Sequence, residues 1–237
     1  MKSVNKQNYK NAFIKKAVAV RLFVLLALTA VFSIAAFAQT AAQCRTPQGE
    51  KTFAAETRLS ELGYWIVRVD CAADDSTRQA LIAFQKAAGL KRTGVLTDAL
   101  MNSLRTAVRP TARYSGAAHV EIDIKRQLLF LVEEAGRVKR ILSVSTGNEK
   151  RYFDEGKWQT AHTPRGEFVI ERKIAGVRRA PLGNLYNPNY FHGGVAIHGS
   201  NSVPTYPASH GCVRIPRFAD AELSRMVWIG MKVYVYD

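Results

Sequence analysis

The hydrophobic periodicity changes once along this chain, and that change most limits the folds open to it. Between residues 52 and 107 apolar side chains recur three to four positions apart, which predicts short amphipathic helices. From residue 119 onward they alternate with polar side chains or stand in short runs, as is typical of strands. The two patterns predict an α+β, multidomain chain whose second part is mostly antiparallel β.

Turn and capping residues bound the predicted helices. Gly63 is expected to end the first helix, Asp74-Asp-Ser offers N-cap oxygens to the second, Gly89 stops it, and Thr97 caps the third. Residues 109–117 contain proline, serine and glycine but few large apolar side chains, which predicts a linker. Beyond it we expect a strand at Leu128–Val132, a helix at Pro216–Met226 and a last strand at Lys232–Tyr236.

The first 38 residues have the pattern of a signal peptide. Six basic residues precede an acid-free apolar run, Leu22–Ala38, which ends in Ala36-Phe-Ala. We therefore expect cleavage before Gln39 and export to the periplasm, cell wall or extracellular space. The alternative is an uncleaved membrane anchor, because the run is only a little shorter than the ~20 residues that span a bilayer. The predicted segments are a leader over 1–38, a helical domain over 39–108, a linker over 109–117 and a β-rich domain over 118–237.

Composition and charge exclude several classes of protein. Hydrophobic residues make up 47% and charged residues 22% of the chain, which is ordinary globular usage and excludes wholesale disorder and collagen. Without residues 1–38, 28 basic and 19 acidic residues remain, a net charge of +9. The basic residues are interleaved with acids, so no nucleic-acid partner is expected. A basic exported protein is attracted instead to anionic envelope polymers or lipid headgroups.

The chain has three cysteines, Cys44, Cys71 and Cys212. Thiols tend to pair in an oxidising compartment, and an odd number leaves one over. Cys44 and Cys71 are close in sequence, so we expect them to form a disulfide. Cys212 is then the free thiol.

The residue types best suited to catalysis cluster around Cys212. They are Tyr190, His198, Gly199, Ser200, Ser209, His210, Gly211, Cys212 and Arg214. A cysteine attacks as the thiolate, which a neighbouring imidazole can generate. Gly211 lets the backbone turn so that successive N–H groups point at one oxyanion, and a guanidinium such as Arg214 can hold a carboxylate.

Other interpretations of these residues stay open. Cys212 alone fits a buried small apolar residue, and the histidines fit the core. His198, His210 and Cys212 together also fit a zinc site, although the sequence has no H-x-x-x-H or C-x-x-C pair. No metal or other cofactor is expected. The spacing does not decide which histidine is the base.

Two resemblances cover nearly all of the chain after residue 38. Arg58-Leu-Ser-Glu-Leu-Gly-Tyr, Ser76-Thr-Arg-Gln-Ala-Leu and Phe84-Gln-Lys-Ala-Ala-Gly-Leu, followed by Thr93-Gly-Val-Leu, resemble the three-helix peptidoglycan-binding domain. That family usually has a glycine-containing loop before Thr77, where this chain has Asp70-Cys-Ala-Ala-Asp-Asp, so a disulfide is expected to replace the usual turn. The alternative is a helical spacer without a ligand.

The second resemblance is more specific. Ile197-His-Gly-Ser and Ser209-His-Gly-Cys-Val-Arg resemble the active-site signature of the L,D-transpeptidases, which have a YkuD-type catalytic domain. Val144-Ser-Thr-Gly, Thr163-Pro-Arg-Gly-Glu-Phe and Gly230-Met-Lys-Val-Tyr-Val support it, so this resemblance spans residues 119–237.

The resemblance implies a β-rich fold and cysteine acyl transfer on peptidoglycan stem peptides and glycan. Cys212 would be the nucleophile, His198 the base and the Gly199 carbonyl its partner, with His210 supporting the cysteine loop and Gly211 and Cys212 donating to the oxyanion. Ser209, Arg214, Tyr190 and Ser200 would contact substrate. The product would be a 3-3 cross-link, made with release of D-Ala, and carbapenem-type β-lactams would acylate the cysteine.

Several alternatives remain for the activity. Transfer of the same thioester to water would make a carboxypeptidase, and transfer to a lysine would attach a lipoprotein. A wall-binding module without activity and a zinc-dependent wall peptidase are further possibilities. Five aromatic residues upstream of the motif are candidates for the wall of the acceptor cleft, with burial in the core as the alternative; they are Phe153, Trp158, Tyr186, Tyr190 and Phe191.

Overall fold

The computed structural model describes residues 44–154 and 156–237. The predicted signal peptide, residues 1–38, lies outside the described residues. Within the described part, no helix combines the length and the apolar character that crossing a bilayer requires. The helices there are α1 (Pro47–Glu61), α2 (Asp75–Ala87), α3 (Asp98–Thr106) and α4 (Arg217–Met226).

The strands follow the third helix, and α4 separates the last strand from the others. They are β1 (His119–Asp123), β2 (Leu128–Val132), β3 (Val138–Ser143), β4 (Arg151–Asp154), β5 (Lys157–Thr160), β6 (Gly166–Val169), β7 (Arg172–Lys173), β8 (Val177–Ala180), β9 (Gly183–His192), β10 (Val195–Ser200), β11 (Val213–Pro216) and β12 (Lys232–Tyr236). The α+β class predicted from the periodicity is confirmed.

The predicted helix ends agree with the structure. Asp74 accepts a hydrogen bond from the Thr77 N–H, and Thr97 accepts one from the Leu100 N–H, so each is a side-chain N-cap. Gly63 and Gly89 follow α1 and α2 with left-handed φ values of +92° and +66°. The C-terminal helix starts one residue later than predicted, because Pro216 occupies its N-cap position.

A buried carboxylate organises the loop before α2. Glu56, with none of its surface exposed, accepts hydrogen bonds from the N–H groups of Asp70 and Cys71 and from the Thr77 hydroxyl. Cys71 has a φ of +67°, in the left-handed region that usually favours glycine. Cys44 and Cys71 are both disulfide-bonded, and Cys212 is a free thiol.

Two five-stranded sheets and a hairpin form the β region. The first sheet has the order β3-β2-β1-β12-β6, and the second has the order β11-β10-β9-β7 with β8 also paired to β9. The β1–β12 and β10–β11 pairs are parallel and the other pairs are antiparallel. Strands β4 and β5 make the separate hairpin. The core includes inward-facing side chains of both sheets together with Ala219 and Leu223 of α4.

Strand β2 is buried on both faces, which explains its unbroken apolar sequence. Leu129 and Leu131 face the core between the sheets. Leu128 and Phe130 face the helices and join a second cluster with Leu59, Leu62, Leu81, Phe84 and Leu104. Residues 51–237 form one compact unit. The helices and the first sheet therefore share a hydrophobic cluster.

Lys86 is buried where α2 meets the sheet. Its Nζ donates to the carbonyl oxygens of Gln127 and Val144, at 3.1 and 2.9 Å, and to the Ser143 hydroxyl at 2.8 Å. All three acceptors are uncharged. Burial therefore lowers the pKa of Lys86 from 10.5 to about 7, and the nearby Arg92 charge acts in the same direction.

The predicted linker is held against the β region. The buried Glu121 carboxylate accepts hydrogen bonds from the N–H groups of Arg113 and Tyr114 and from the Tyr236 hydroxyl. The Tyr114 ring stacks on Tyr234 with the centroids 4.1 Å apart. Residues 109–117 form neither helix nor strand, and these contacts tie them to β1 and β12.

Candidate active site

The register of two parallel strands places Cys212 and His198 on one face of the second sheet. Ile197 pairs with Val213, and both point into the core. Because side chains alternate along a strand, His198 points to the opposite face, and the same alternation extended to Cys212, the residue directly before β11, directs its side chain to that face. The Ala196 N–H donates to Cys212 Sγ at 3.4 Å, which aligns Cys212 with the residue two positions before His198.

The His198 ring is held in one orientation. His198 is 6% exposed, and its Nδ1 lies 2.8 Å from the Gly199 carbonyl oxygen. A carbonyl oxygen can only accept, so in the neutral ring Nδ1 carries the proton and Nε2 keeps its lone pair. The structure thus contains the His198–Gly199 contact that the resemblance implied.

Burial favours the uncharged forms of both reacting groups. It lowers the pKa of His198 below 6.5, and Arg214 acts in the same direction, while the Gly199 hydrogen bond and Asp220 oppose it. Burial also raises the pKa of the Cys212 thiol, against the Ala196 N–H and the Arg214 charge. The resting site therefore holds a thiol and a neutral imidazole.

Ser209 closes the loop that carries Cys212. Its hydroxyl donates to the Cys212 carbonyl oxygen at 2.5 Å and accepts the Gly211 N–H at 3.0 Å. Gly211 was expected to donate that N–H to an oxyanion, but in this conformation Ser209 already accepts it. The Gly211 carbonyl in turn accepts from the Thr163 hydroxyl at 2.6 Å. Gly211 has a φ of +132°, which a side chain would strain.

A second segment supports the same loop. The Ser209 N–H donates to the Thr146 carbonyl at 2.9 Å, and the Gly147 N–H donates to the Thr163 hydroxyl at 2.8 Å. A β-carbon at Gly147 would overlap the Ala161 carbonyl oxygen. Thr146, Gly147 and Thr163 belong to the segments that only supported the family resemblance in the sequence. In the structure, their hydrogen bonds position the loop that carries Cys212.

His210 lies outside the buried part of the site. It is exposed, and its ring packs edge-on against Tyr152 of the β4–β5 hairpin with the centroids 4.7 Å apart. The hairpin also exposes Phe153 and Trp158, at 60% and 61%. Burial is the main cause that raises the pKa of Tyr152, and the charge of Asp154 raises it further.

The zinc interpretation lacks a ligand set in the described part of the chain. There, no three His, Cys, Asp or Glu side chains come together in an arrangement that could hold a metal ion.

Two residues expected to line a cleft are buried instead. Tyr190 is 3% exposed, and the Arg172 guanidinium lies over its ring, 4.0 Å from the centroid. Phe191 has no exposed surface and belongs to the core. Tyr186 is half-buried beneath Arg217. The Ser200 hydroxyl donates to the Ser202 carbonyl at 3.0 Å, within its own loop.

Asp220 of α4 packs against Gly199, the hydrogen-bond partner of His198, and no motif in the sequence marks it. A β-carbon at Gly199 would overlap the Asp220 carboxylate, so only glycine allows this close packing. Asp220 accepts from Asn187 Nδ2 at 3.0 Å and forms an ion pair with Arg217. Its charge raises the pKa of His198. An acid spaced one turn from Arg217 at the start of a helix was the only sequence signal.

Comparison with known families agrees with this geometry. The YkuD description, an L,D-transpeptidase catalytic domain, matches residues 117–235. A putative peptidoglycan-binding domain matches residues 48–104. A search of curated proteins returned no significant match.

Solved structures add a close relative. A crystal structure of the L,D-transpeptidase from Xylanimonas cellulosilytica is 44% identical, covers 78% of this chain and 92% of that chain, and has a TM-score of 0.74. An L,D-transpeptidase from Stackebrandtia nassauensis is 22% identical, covers 79% of this chain and 91% of that chain, and has a TM-score of 0.47. The two family matches define the class of protein, an L,D-transpeptidase catalytic domain preceded by a putative peptidoglycan-binding domain. The chain belongs to the L,D-transpeptidase family.

Proposed function

We propose that this protein is an exported peptidoglycan L,D-transpeptidase that forms 3-3 cross-links through a thioester on Cys212. The observation that carries the proposal is the placement of Cys212 and His198 on one sheet face, with His198 Nδ1 fixed on Gly199. This leaves Nε2 as the basic nitrogen on the face that Cys212 shares. The geometry therefore favours His198 over the exposed His210 as the base.

The first step acylates the enzyme. Cys212 Sγ attacks the carbonyl at the L-centre of the diamino acid, position three of a tetrapeptide stem, while its proton passes to His198 Nε2. The Cys212 N–H is the proposed donor to the oxyanion, since Ser209 accepts the Gly211 N–H. The carbon–nitrogen bond to D-Ala then breaks, and the departing amine takes the proton from His198.

The second step transfers the acyl group. A side-chain amine of a neighbouring stem attacks the thioester and loses a proton to His198. The sulfur–carbon bond then breaks, and the departing Cys212 thiolate takes that proton back from His198. One amide is exchanged for another, so no ATP is needed. Water in place of the amine gives carboxypeptidase activity, and a lipoprotein lysine gives protein attachment. The proposed 3-3 activity requires water to be excluded from the thioester.

Export and wall attachment complete the proposal. The basic and apolar leader over residues 1–38 directs the chain to the periplasm or cell wall, and the remaining +9 charge favours association with anionic envelope polymers. The family match at residues 48–104 supports glycan or stem binding by the helices. Carbapenem-type β-lactams are proposed to acylate Cys212 as well, since their strained amide presents the thiol with an electrophilic carbonyl.

Intact-protein mass spectrometry with tetrapeptide stems tests the mechanism. We expect release of D-Ala and one covalent adduct on the wild-type protein, with both lost in Cys212→Ala. Thermal unfolding of the variant checks that it is folded. A Cys212→Ala protein that keeps full activity would contradict the assignment.

The products of the same reaction separate the alternatives. A cross-linked dimer identifies transpeptidation, and a free tripeptide identifies carboxypeptidase activity. A parallel reaction with meropenem, run before and after reduction, tests β-lactam acylation and the disulfide together.

A further inference from the structure

A row of side chains crosses the second sheet on the face that carries Cys212. Arg172 pairs with Tyr190, and Tyr190 pairs with Ala196. Directly paired residues on neighbouring strands point to the same face, and the Ala196 N–H meets Cys212 Sγ. The row therefore runs from Arg172 through Tyr190 and Ala196 to Cys212.

Two guanidinium groups stand over the ring in the middle of this row. Arg172 lies 4.0 Å and Arg178 lies 6.0 Å from the Tyr190 centroid. Both arginines are exposed, and neither forms an ion pair with an acid of the described residues. Arg126, Arg165 and Arg217, by contrast, each hold a carboxylate. The face that carries Cys212 thus presents two positive charges to which the described residues supply no counter-ion.

The distance of this pair from the sulfur matches the length of a stem peptide. Neighbouring strands lie about 4.8 Å apart, so Tyr190 stands two strands, or about 10 Å, from Cys212. An extended chain covers about 3.3–3.6 Å per residue, so about three residues fill this gap.

The position of the base indicates which part of the substrate lies over this row. His198 is two residues beyond Ala196 along β10. The departing and incoming amines must both exchange a proton with that imidazole, so they occupy the side toward His198. The row toward Arg172 is left for the acyl part of the donor.

We propose that Arg172 and Arg178, held on the Tyr190 ring, bind a free carboxylate of the donor stem during acylation of Cys212. This inference rests on the proposed function. A guanidinium matches a carboxylate with two parallel hydrogen bonds, and stacking on an aromatic ring fixes the plane of the fork. Two carboxylates are within reach: that of a residue-two acid joined through its side chain, and that at the end of the residue-three side chain.

Stems whose residue-three side-chain amine is blocked by acetylation isolate the donor site, because that amine is the proposed acceptor. Three synthetic tetrapeptide stems are compared by D-Ala release and by adduct mass: one with both carboxylates free, one with a carboxamide at residue two, and one with a carboxamide on the residue-three side chain. Charge-assisted hydrogen bonds of this kind are strong, so we expect kcat/KM to fall about 10-fold or more for one of the two carboxamide stems. The affected stem identifies the carboxylate.

Variants assign that preference to the arginines. For the stem with both carboxylates free, we expect Arg172→Gln and Arg178→Gln each to lower kcat/KM about 10-fold. For the affected carboxamide stem, kcat/KM should fall little further, because the carboxylate that the arginine would bind is already absent. Arg172→Lys keeps the charge without the fork and should recover only part of the rate. If the arginines had a purely structural role, the variants would lower kcat/KM equally for all three stems.

Arg179→Gln is the matched control. Arg179 is exposed and adjacent to Arg178 on β8, but strand alternation directs it to the other face. We expect this variant to keep the wild-type rates.

The outcomes separate this inference from the proposed function. If the stems acylate Cys212 while Arg172→Gln keeps the wild-type ratio of kcat/KM between free and carboxamide stems, the inference is overturned and the proposed function stands. If no stem acylates the wild-type protein, the proposed function itself fails. A preference found only in the transfer step would overturn the donor assignment.

Discussion

At the scale of single residues, burial sets the charge state of the reacting pair. A raised Cys212 pKa and a lowered His198 pKa both disfavour a resting thiolate–imidazolium pair. In the proposed mechanism, proton transfer therefore accompanies attack on the substrate, with His198 as the general base. A resting thiol is also a weaker target for oxidation than a thiolate.

The pH dependence of acylation tests this arrangement. Activity is lost in acid as His198 becomes protonated, and because burial lowers its pKa, we expect the half-maximal point of kcat/KM below pH 6.5. Asp220→Asn removes a charge that raises this pKa, so the half-maximal point should move to still lower pH. Glu222→Gln removes one charge from the same helix and serves as the control. An acid limb that stays in place or moves upward in Asp220→Asn would contradict the role of Asp220.

Local residue patterns were readable in the sequence, and long-range partners were not. The capping roles of Asp74 and Thr97 involve residues only three positions away, so the sequence alone identified them. Asp220 meets Asn187 across 33 residues, and Glu56 meets Thr77 across 21 residues, so both needed the fold. The position of Tyr190 beneath Arg172 depended on strand pairing, and β9–β10 contains register shifts that alternation along the sequence does not reveal.

At the scale of elements, the cysteine loop depends on two backbone segments that pack without room for a side chain. Gly147→Ala forces the backbone at residue 147 away from Ala161, which loosens the Thr146–Ser209 and Gly147–Thr163 hydrogen bonds. We expect a loss of about 2 kcal/mol or more in the free energy of unfolding, together with slower acylation. Urea unfolding followed by circular dichroism measures the first effect, and adduct formation measures the second.

Gly194→Ala is the matched control for that substitution. Gly194 has no atom within 4 Å of an added β-carbon and no left-handed φ. We expect its unfolding free energy to stay within about 0.5 kcal/mol of the wild-type value. If the two variants had equal free energies of unfolding, the close packing at Gly147 would not contribute to stability as predicted.

At the scale of the whole molecule, a buried cation lies between the helices and the sheet. The folded pKa of Lys86 is about 7 and its ordinary value is 10.5, so between these values the unfolded chain binds a proton that the folded chain does not. Stability should therefore rise with pH through this window. Between pH 7 and pH 9.5 we expect the wild-type protein to gain up to about 3 kcal/mol relative to Lys86→Met.

Urea unfolding at the two pH values provides the measurement. Lys91→Met removes an exposed lysine just after α2, and its unfolding free energy should change with pH in parallel with the wild type. If the unfolding free energy of Lys86→Met also changed with pH in parallel with the wild type, the prediction of a lowered Lys86 pKa in the folded protein would be wrong.

The shared core has a consequence for how such a chain can be divided. Leu128, Phe130 and Ile141 point away from the transpeptidase interior, and helical side chains cover them. A catalytic fragment that began after residue 117 would expose this apolar face of the sheet to water and would be prone to self-association. Replacing the helices with a different module would also require matching substitutions on that side of the sheet.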